Sequence, residues 1–447
     1  MILEHLQSGE ASRAAGQRAY ELVREIFPIC RSITGEGVRK TLRSVGERIP
    51  LSVHEIPSGK AVFDWEVPPE WNIRDAYIKD ARGRRVVDFQ QSNLHVVSYS
   101  IPVSEVLSLA ELRPHLHSLP EHPDWIPYRT SYYKRDWGFC LRHRDLEALE
   151  EGRYEVRIDS ILEPGSLTYA ECRLQGSSDR EILVFTHVCH PSLANDNASG
   201  IAVTTEVARA LAGESPRYSY RFVFAPGTIG AITWLACNES SVGRIAHGLV
   251  LGLLGDPGAL TYKRSARGEA VVDRAAVHVL EALGTAHRVE PFSPYGYDER
   301  QFCSPGFDLP VGRLTRSPND GYAQYHTSAD DLSLVRAEYL AESIQAVARI
   351  LSALDADTRF VNLSPKCEPR LGKRNLYRSV GGVAPGEREH AMLWVLNQSN
   401  GNRSLLAIAE RSGIPFHTIR AAADDLERAG LLRDSGPDSA HAGEPQQ

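Results

Sequence analysis

Apolar positions set the first boundaries along this chain. Between about residues 13 and 48 they recur at helical spacing, with Tyr20, Val23, Ile26 and Phe27 on one face, a break at Pro28 and a restart after Ser32 and Thr34. Two packed helices are predicted there. Residues 51 to 100 change to period-two alternation, punctuated by Pro57-Ser-Gly-Lys, Val67-Pro-Pro-Glu and Arg82-Gly-Arg and closing on the strand-like run from Leu94 to Ser100; this predicts a small β-rich unit. From Tyr154 two strands precede a third, Glu181 to Thr186. A helix then spans about 199–212, a strand Tyr220 to Ala225, a helix Ile229 to Cys237, a strand Gly248 to Leu254 and a helix Glu338 to Leu354. Strands alternating with helices of these lengths predict an α/β fold with a mainly parallel sheet covered on both faces. Ligands of such sheets sit beyond the carboxyl ends of the strands, where His187 and Asp256 fall.

Two stretches break the periodicity. Residues 119 to 140 are crowded with Trp125, Tyr128, Tyr132, Tyr133, Trp137 and Phe139 at spacings that suit neither one helix face nor one strand face. They form either a lid or pocket wall, or a satellite cluster beneath a long loop. Residues 362 to 385, rich in Pro, Gly and Arg, read as a linker. Beyond it, three short helices (388–397, 404–411, 416–429), with Gly413 and Pro415 between the last two and Gly430-Leu-Leu after them, give a winged-helix pattern. Residues 436–447 read as a disordered tail.

Composition narrows the class. A chain of 447 residues, 42% hydrophobic and 24% charged, can bury a large core in two or three domains. A formal charge of -7 argues against a surface built for polyanions. The helix that would enter a DNA groove sets Arg420 and Arg428 against Asp424, Asp425 and Glu427, so nucleic acid is not the expected partner. A protein contact or homo-oligomer through the winged helix is expected instead. Seven cysteines without a Cys-x-x-Cys pair suit reduced thiols, and the polar start of the chain lacks an export-signal pattern. No apolar run is long enough for a membrane span. A cytoplasmic location is expected.

The chemistry concentrates in His187-Val-Cys-His-Pro-Ser-Leu-Ala-Asn-Asp-Asn-Ala-Ser-Gly200. Two imidazoles, His187 and His190, and the carboxylate Asp196 lie within ten residues of a strand end, where they can converge on an ion. The helix opening after them adds positive potential beside the site. His326 sits in a loop, with Ser328 as a cap for a following helix and Asp330 as a partner for its ring. A nucleophile elbow, a phosphate-cradling loop and a dinucleotide fingerprint are all absent. Cys189 with His190 as its base fails on geometry, since neighbours on an extended chain point apart.

The Cys-His-Pro-Ser-x-x-Asn-Asp-Asn-x-Ser-Gly segment, followed far downstream by His326-Thr-Ser-Ala-Asp, resembles an uncharacterised bacterial aminopeptidase-like family related to the dinuclear zinc aminopeptidases. Pro28-Ile-Cys-Arg-Ser-Ile-Thr-Gly, Asp64-Trp, Glu70-Trp-Asn and the stretch from Ser131 to Cys140 extend the resemblance over nearly the whole chain. It implies a discontinuous zinc-hydrolase domain (13–60 and 155–360), a β-rich insertion (61–154) and an appended winged helix (387–435). It also implies His190, Asp196 and His326 as metal ligands. His187 is a fourth: the related enzymes place their first histidine at the strand end, while the family motif centres on His190.

One departure weighs on the mechanism. The related aminopeptidases carry a glutamate pair after the next strand, where this chain reads Ala225-Pro-Gly-Thr-Ile-Gly230, and the acidic ligand after the following strand is missing from Leu251-Gly-Leu-Leu, with Asp256 a few residues on. One zinc ion is therefore expected rather than two. A general base must then come from elsewhere, and Asp298 and Glu299 are candidates unless they form a solvated turn. Arg300 could clamp a substrate carboxylate or pair with Glu299; Lys263, beside Arg264, could be an anion clamp or part of a basic surface turn; Tyr325 could serve an oxyanion or simply pack. The resulting expectation is a zinc-dependent hydrolase cleaving an amide bond of a peptide or small acyl-amino compound. The alternatives are a metal-binding module that has lost catalysis and a DNA-binding regulator.

Overall fold

The computed structural model describes residues 1–7, 9–319, 321–377 and 386–435. Two amphipathic helices come first, α1 (Gly9–Ile26) and α2 (Glu36–Gly46), followed by β1 (Ser52–Pro57). The insertion holds β2 (Glu70–Lys79), β3 (Arg85–Asp88), β4 (Val103–Ser108) and β5 (Arg153–Glu163), an antiparallel sheet in the order β3-β2-β5-β4. The main unit continues with β6 (Ser166–Leu174), β7 (Glu181–His187), α3 (Gly200–Leu211), β8 (Ser219–Ala225), α4 (Ile229–Asn238), β9 (Ile245–Leu251), β10 (Leu260–Lys263), α5 (Val271–Leu283), β11 (His287–Glu290), β12 (Val311–Thr315) and α6 (Ala337–Ala356).

Eight strands form the main sheet in the order β1-β6-β8-β7-β9-β12-β10-β11. The central run β8-β7-β9-β12 is parallel, and antiparallel pairs flank it on both sides. β7, β8 and β9 are buried along their whole length, as the near-continuous apolar runs of strands covered on both faces require. From β7 the chain crosses to β8 on one side, then returns past β7 to β9 on the other. The carboxyl end of β7 is thus a topological switch point, where adjacent connections diverge and leave a crevice.

One core cluster packs α1, α3, α5 and α6 on one face of the sheet; another packs α4, Trp71, Tyr99 and Phe302 on the opposite face. The first runs on without a break into the C-terminal unit, through Phe360, Met392, Ile408, Ile419 and Leu426. That unit has helices α7 (Glu387–Gln398), α8 (Leu405–Ser412) and α9 (Phe416–Arg428), with β14 (Asn400–Ser404) and β15 (Leu432–Asp434) pairing on β13 (Arg359–Asn362).

Three boundaries move relative to the sequence reading. β5 runs to Glu163, its Tyr154, Val156 and Ile158 covering the insertion's own core and its last residues still pairing with β2, so the insertion's sheet continues past residue 154. The segment read as a linker from 362 follows a strand that already belongs to the winged helix, which begins near 359 rather than 387. No helix follows His326 directly: α6 starts at Ala337 with Arg336 as its N-cap, and Ser328 instead accepts a hydrogen bond from the Ile126 amide at 2.9 Å. The tail 436–447 and residues 378–385 lie outside the described residues. Among those described, no helix is long and apolar enough to cross a membrane.

Candidate functional site

Asp196 is the hub. It is fully buried just past β7, and three imidazoles surround its carboxylate: His187 Nε2 at 2.8 Å and His190 Nδ1 at 3.1 Å from Oδ1, and His326 Nε2 at 3.0 Å from Oδ2. The candidate ligand atoms of His187, His190 and Asp196 lie within 4.8 Å of one another. The structure therefore sorts the four residues into a tight trio on Oδ1 that includes His187, with His326 approaching the other oxygen.

Backbone anchoring explains why Asp196 holds this position. Asp330 Oδ1 and Oδ2 accept from the Asn195 and Asp196 amides at 2.6 and 3.0 Å, and the Tyr322 hydroxyl donates to Oδ2 at 3.2 Å. Asp330 thus holds the backbone of Asp196, not the His326 ring for which it was expected. Asn197 donates to Thr186 Oγ1 and the His187 carbonyl, both at 2.9 Å, and accepts from the Leu253 amide. Asp256 is engaged with Asn195, Ser317 and Gly258, so it braces the loops and does not reach the imidazoles as a ligand. From the N-terminal segment the fully buried Arg31 donates through Nε to the His190 carbonyl at 2.8 Å.

Electrostatics follow from burial and crowding. Burial would raise the Asp196 pKa, but His190, His187 and His326 together hold it well below the carboxylate range. Burial would lower that of His190; Asp196, with Cys189, overrides it and lifts the ring well above the usual imidazole value. His187, where burial dominates, titrates low. Asp330 is pushed up to about 7 by burial and by nearby Asp196, against the two amide hydrogen bonds it accepts.

The donor set suits zinc. Two imidazoles and a carboxylate with converging ligand atoms are the kind of donors this ion takes, and the Nδ1 atoms of His187 and His190 are buried without a hydrogen-bond partner.

The aromatic stretch divides: Trp137 and Phe139 pack in the insertion's own core, and Tyr128 borders the imidazoles. Tyr128 stands edge-on to His190 and His326 with ring centroids 5.3 and 5.1 Å away, its amide donates to the His326 carbonyl at 2.8 Å, and its hydroxyl lies 2.5 Å from that of Tyr132. Tyr297 stacks on His187 at 4.4 Å and Tyr325 on His326 at 3.9 Å, and the two hydroxyls are 3.2 Å apart. Tyr128, Tyr297 and Arg31 escaped the sequence reading as site residues. Each stood in a stretch already singled out, but nothing in the residue order said that these stretches meet.

Asp298 and Glu299 are not a solvated turn, for both are fully buried. Glu299 is spent: Lys263 Nζ lies 2.8 Å from its Oε1 and Arg313 Nη1 3.7 Å away. This corrects two expectations. Lys263, in β10, is neither a surface turn nor a free anion clamp, because the buried carboxylate and the Tyr295 carbonyl take up its ammonium. Arg300 does not pair with Glu299; it is half-buried, its Nη1 is 3.5 Å from the Pro294 carbonyl, and its Nε is buried without a partner. Asp298 differs from its neighbour, since neither of its buried oxygens has a hydrogen-bond partner. It lies against Gly227: a Cβ there would stand 3.2 Å from both Asp298 Oδ2 and His187 Cβ. Burial, then Glu299, pushes the Asp298 carboxyl well above its usual range, with Arg300 and His190 opposing. Cys189 Sγ points to the Gly227 carbonyl at 3.8 Å.

The fold is similar to that of known zinc aminopeptidases. A zinc aminopeptidase from Bacillus subtilis superposes with a TM-score of 0.57 at 13% identity over 76% of this chain and 95% of its own. The chain belongs to the family described as "Domain of unknown function (DUF4910)", whose model matches residues 20–357, and a winged helix-turn-helix model matches 358–434. A Clostridium acetobutylicum protein, provisionally named a polysaccharide biosynthesis protein with an aminopeptidase-like domain, is 50% identical over 424 residues, covering 94% of this chain and 97% of its own length. A crystal structure from the same organism, provisionally named a peptidase, matches with a TM-score of 0.90 and 48% identity over 95% of this chain and 97% of that one.

Proposed function

We propose that the chain is a zinc-dependent hydrolase that cleaves an amide bond of a peptide or of a small acyl-amino compound. The observation that carries this reading is the buried, unpartnered carboxylate of Asp298, which fills the space over Gly227 beside His187. In the related enzymes a side-chain carboxylate belongs at that strand end; here a different segment supplies one.

His187, His190, Asp196 and His326 hold the ion, which when bound polarises a substrate carbonyl and makes water acidic. Asp298 accepts the proton of the attacking water and returns it to the leaving amine, a role suited to a carboxyl whose affinity for protons burial has raised. Asp330 and Arg31 fix the backbone on either side of the imidazole cluster. Tyr325 and Tyr297, whose hydroxyls meet, donate toward the oxyanion in this reading. Arg300, near enough to oppose the rise of the Asp298 carboxyl, takes an anionic end of the substrate. The name of the Clostridium acetobutylicum relative favours a substrate met in polysaccharide biosynthesis.

The test combines metal analysis of the purified chain with turnover on aminoacyl anilides, dipeptides and N-acylated amino sugars. The expected result is bound zinc, turnover on at least one amide, and an Asp298→Asn variant that keeps its zinc and loses roughly 10²–10⁴-fold in rate. Absence of metal overturns the reading. Zinc without turnover on any amide favours the second reading, a binding module that has lost catalysis, for which Gly227 at the usual base position speaks.

A further inference from the structure

The strands that present the imidazole cluster at their carboxyl ends open at their amino ends onto a separate groove of about 910 Å³. Arg180 immediately precedes β7, Arg217 and Tyr218 precede β8, His247 is the third residue of β9, and Arg359 reaches the groove from β13 of the winged helix. Seven residues of β7 separate the two ends, roughly 20 Å at the rise of a strand. The groove is distinct from the candidate zinc site and lies at the junction of the two family units.

Its charge runs against that of the whole chain. Among the lining residues four arginines (Arg180, Arg217, Arg267, Arg359) face two carboxylates, Glu269 and Asp357, although the chain carries -7. Arg267 pairs with Asp308 at 3.1 Å and Glu269 with Arg264 at 3.3 Å, and Asp357 accepts the Leu406 amide at 2.8 Å, so part of this charge is locally occupied. Arg180 is exposed and makes no ion pair or hydrogen bond with its side chain among the described residues. Arg217 is held rigid, its guanidinium 4.6 Å over the Tyr218 ring and its Nη2 on the Leu354 carbonyl at 3.1 Å, while its buried Nε has no partner. Beside it His247, nine-tenths buried and edge-on to Tyr218 at 5.5 Å, has an Nδ1 without a partner. Rigid guanidinium and imidazole nitrogens left unsatisfied at a recessed positive surface are what oxyanion recognition needs.

We propose that this groove binds a small organic oxyanion carrying at least two negative charges, held by Arg180, Arg217 and His247 and closed by Arg359. Phosphate groups and paired carboxylates share this chemistry. A nucleic-acid backbone fits less well, because the groove is recessed and the adjacent winged helix pairs its own arginines internally, Arg420 with Asp424 at 2.7 Å and Arg428 with Asp425.

The test is calorimetric titration of the full-length protein with inorganic pyrophosphate and with citrate, alongside a 20-base-pair DNA duplex. Saturable one-to-one binding of either small anion is expected, and the tighter of the two identifies the source class. Arg180→Ala should weaken it about tenfold, the loss of one charge-assisted hydrogen bond, while Arg135→Ala, an exposed arginine of the insertion, should leave it unchanged. A histidine NMR titration supplies an independent readout. Burial, Arg217 and Arg180 hold His247 down at about 3, and a bound anion should move it upward. No saturable binding of either small anion, binding indifferent to Arg180→Ala, or retention of the duplex alone would overturn the proposal.

Discussion

At the scale of single residues, the site turns on which buried groups are satisfied. Asp196 collects three imidazoles, and its backbone is pinned by Asp330. Asp196→Asn removes the charge that all three rings share, so zinc measured by mass spectrometry after dialysis should fall to background. Asp330→Asn keeps the shape but weakens the grip on the Asp196 amide; about a 10–100-fold loss of zinc affinity is expected, read by competition with a fluorescent chelator. Asp298 and Glu299 show how two adjacent carboxylates take different fates: one is neutralised by Lys263 and Arg313, the other faces Gly227 with nothing to bind. Gly227→Ala would place a methyl 3.2 Å from both Asp298 and His187, so turnover should drop while melting temperature changes little.

Among elements, the insertion completes the pocket. Its loop bridges to the His326 loop through Pro127 and Thr327, and Ile126 and Ser328 exchange two hydrogen bonds. The insertion is tied back to α2 by Arg39, which reaches Glu70 at 2.7 and 2.8 Å and Glu55 at 3.0 Å. Arg39, helped by the Ser166 amide and opposed by burial, depresses Glu70 from 4.5 to about 2. A depressed carboxyl adds stability that is fully present above about 4.5 and is lost as pH falls toward 2. Acid should therefore loosen the insertion first, and Glu70→Gln should remove that part of the pH dependence at a cost of about 1 kcal/mol, the pair being open to solvent at its rim. Hydrogen exchange of β2 amides against pH checks this.

For the whole molecule, the winged helix is part of the core. The hydrophobic cluster passes from α1 and α6 into α7, α8 and α9, Arg420 donates to the Ala356 carbonyl at 3.2 Å, and Arg274 pairs with Glu410. A chain truncated after Asp357 should therefore expose an apolar face and aggregate, while the full chain should unfold in one calorimetric transition and not two. Two resolved transitions would show that the shared cluster does not couple the units.

Much of this architecture was written in the order of residues. Period-two and helical runs located β7, β8, β9, α3, α4, α6 and the three C-terminal helices to within a few positions, because those elements bury regular apolar faces, whereas β10, α5, β11 and β12 went unread. His187, His190 and Asp196 were legible because they follow one strand within ten residues. What the residue order could not convey were encounters between distant segments. His326 arrives from 130 residues beyond Asp196 and Arg31 from 159 before His190; Asp298 takes the space that Gly227 leaves open. The start of the winged helix was missed for a related reason, since its first strand is short and is defined by the partners it pairs with. The sequence by itself determined the alternation that makes an α/β sheet and the motif at its switch point, both consequences of local spacing. Only the tertiary structure decided which carboxylate stays free beside the imidazoles and which is neutralised, because that depends on burial and on partners supplied by other strands.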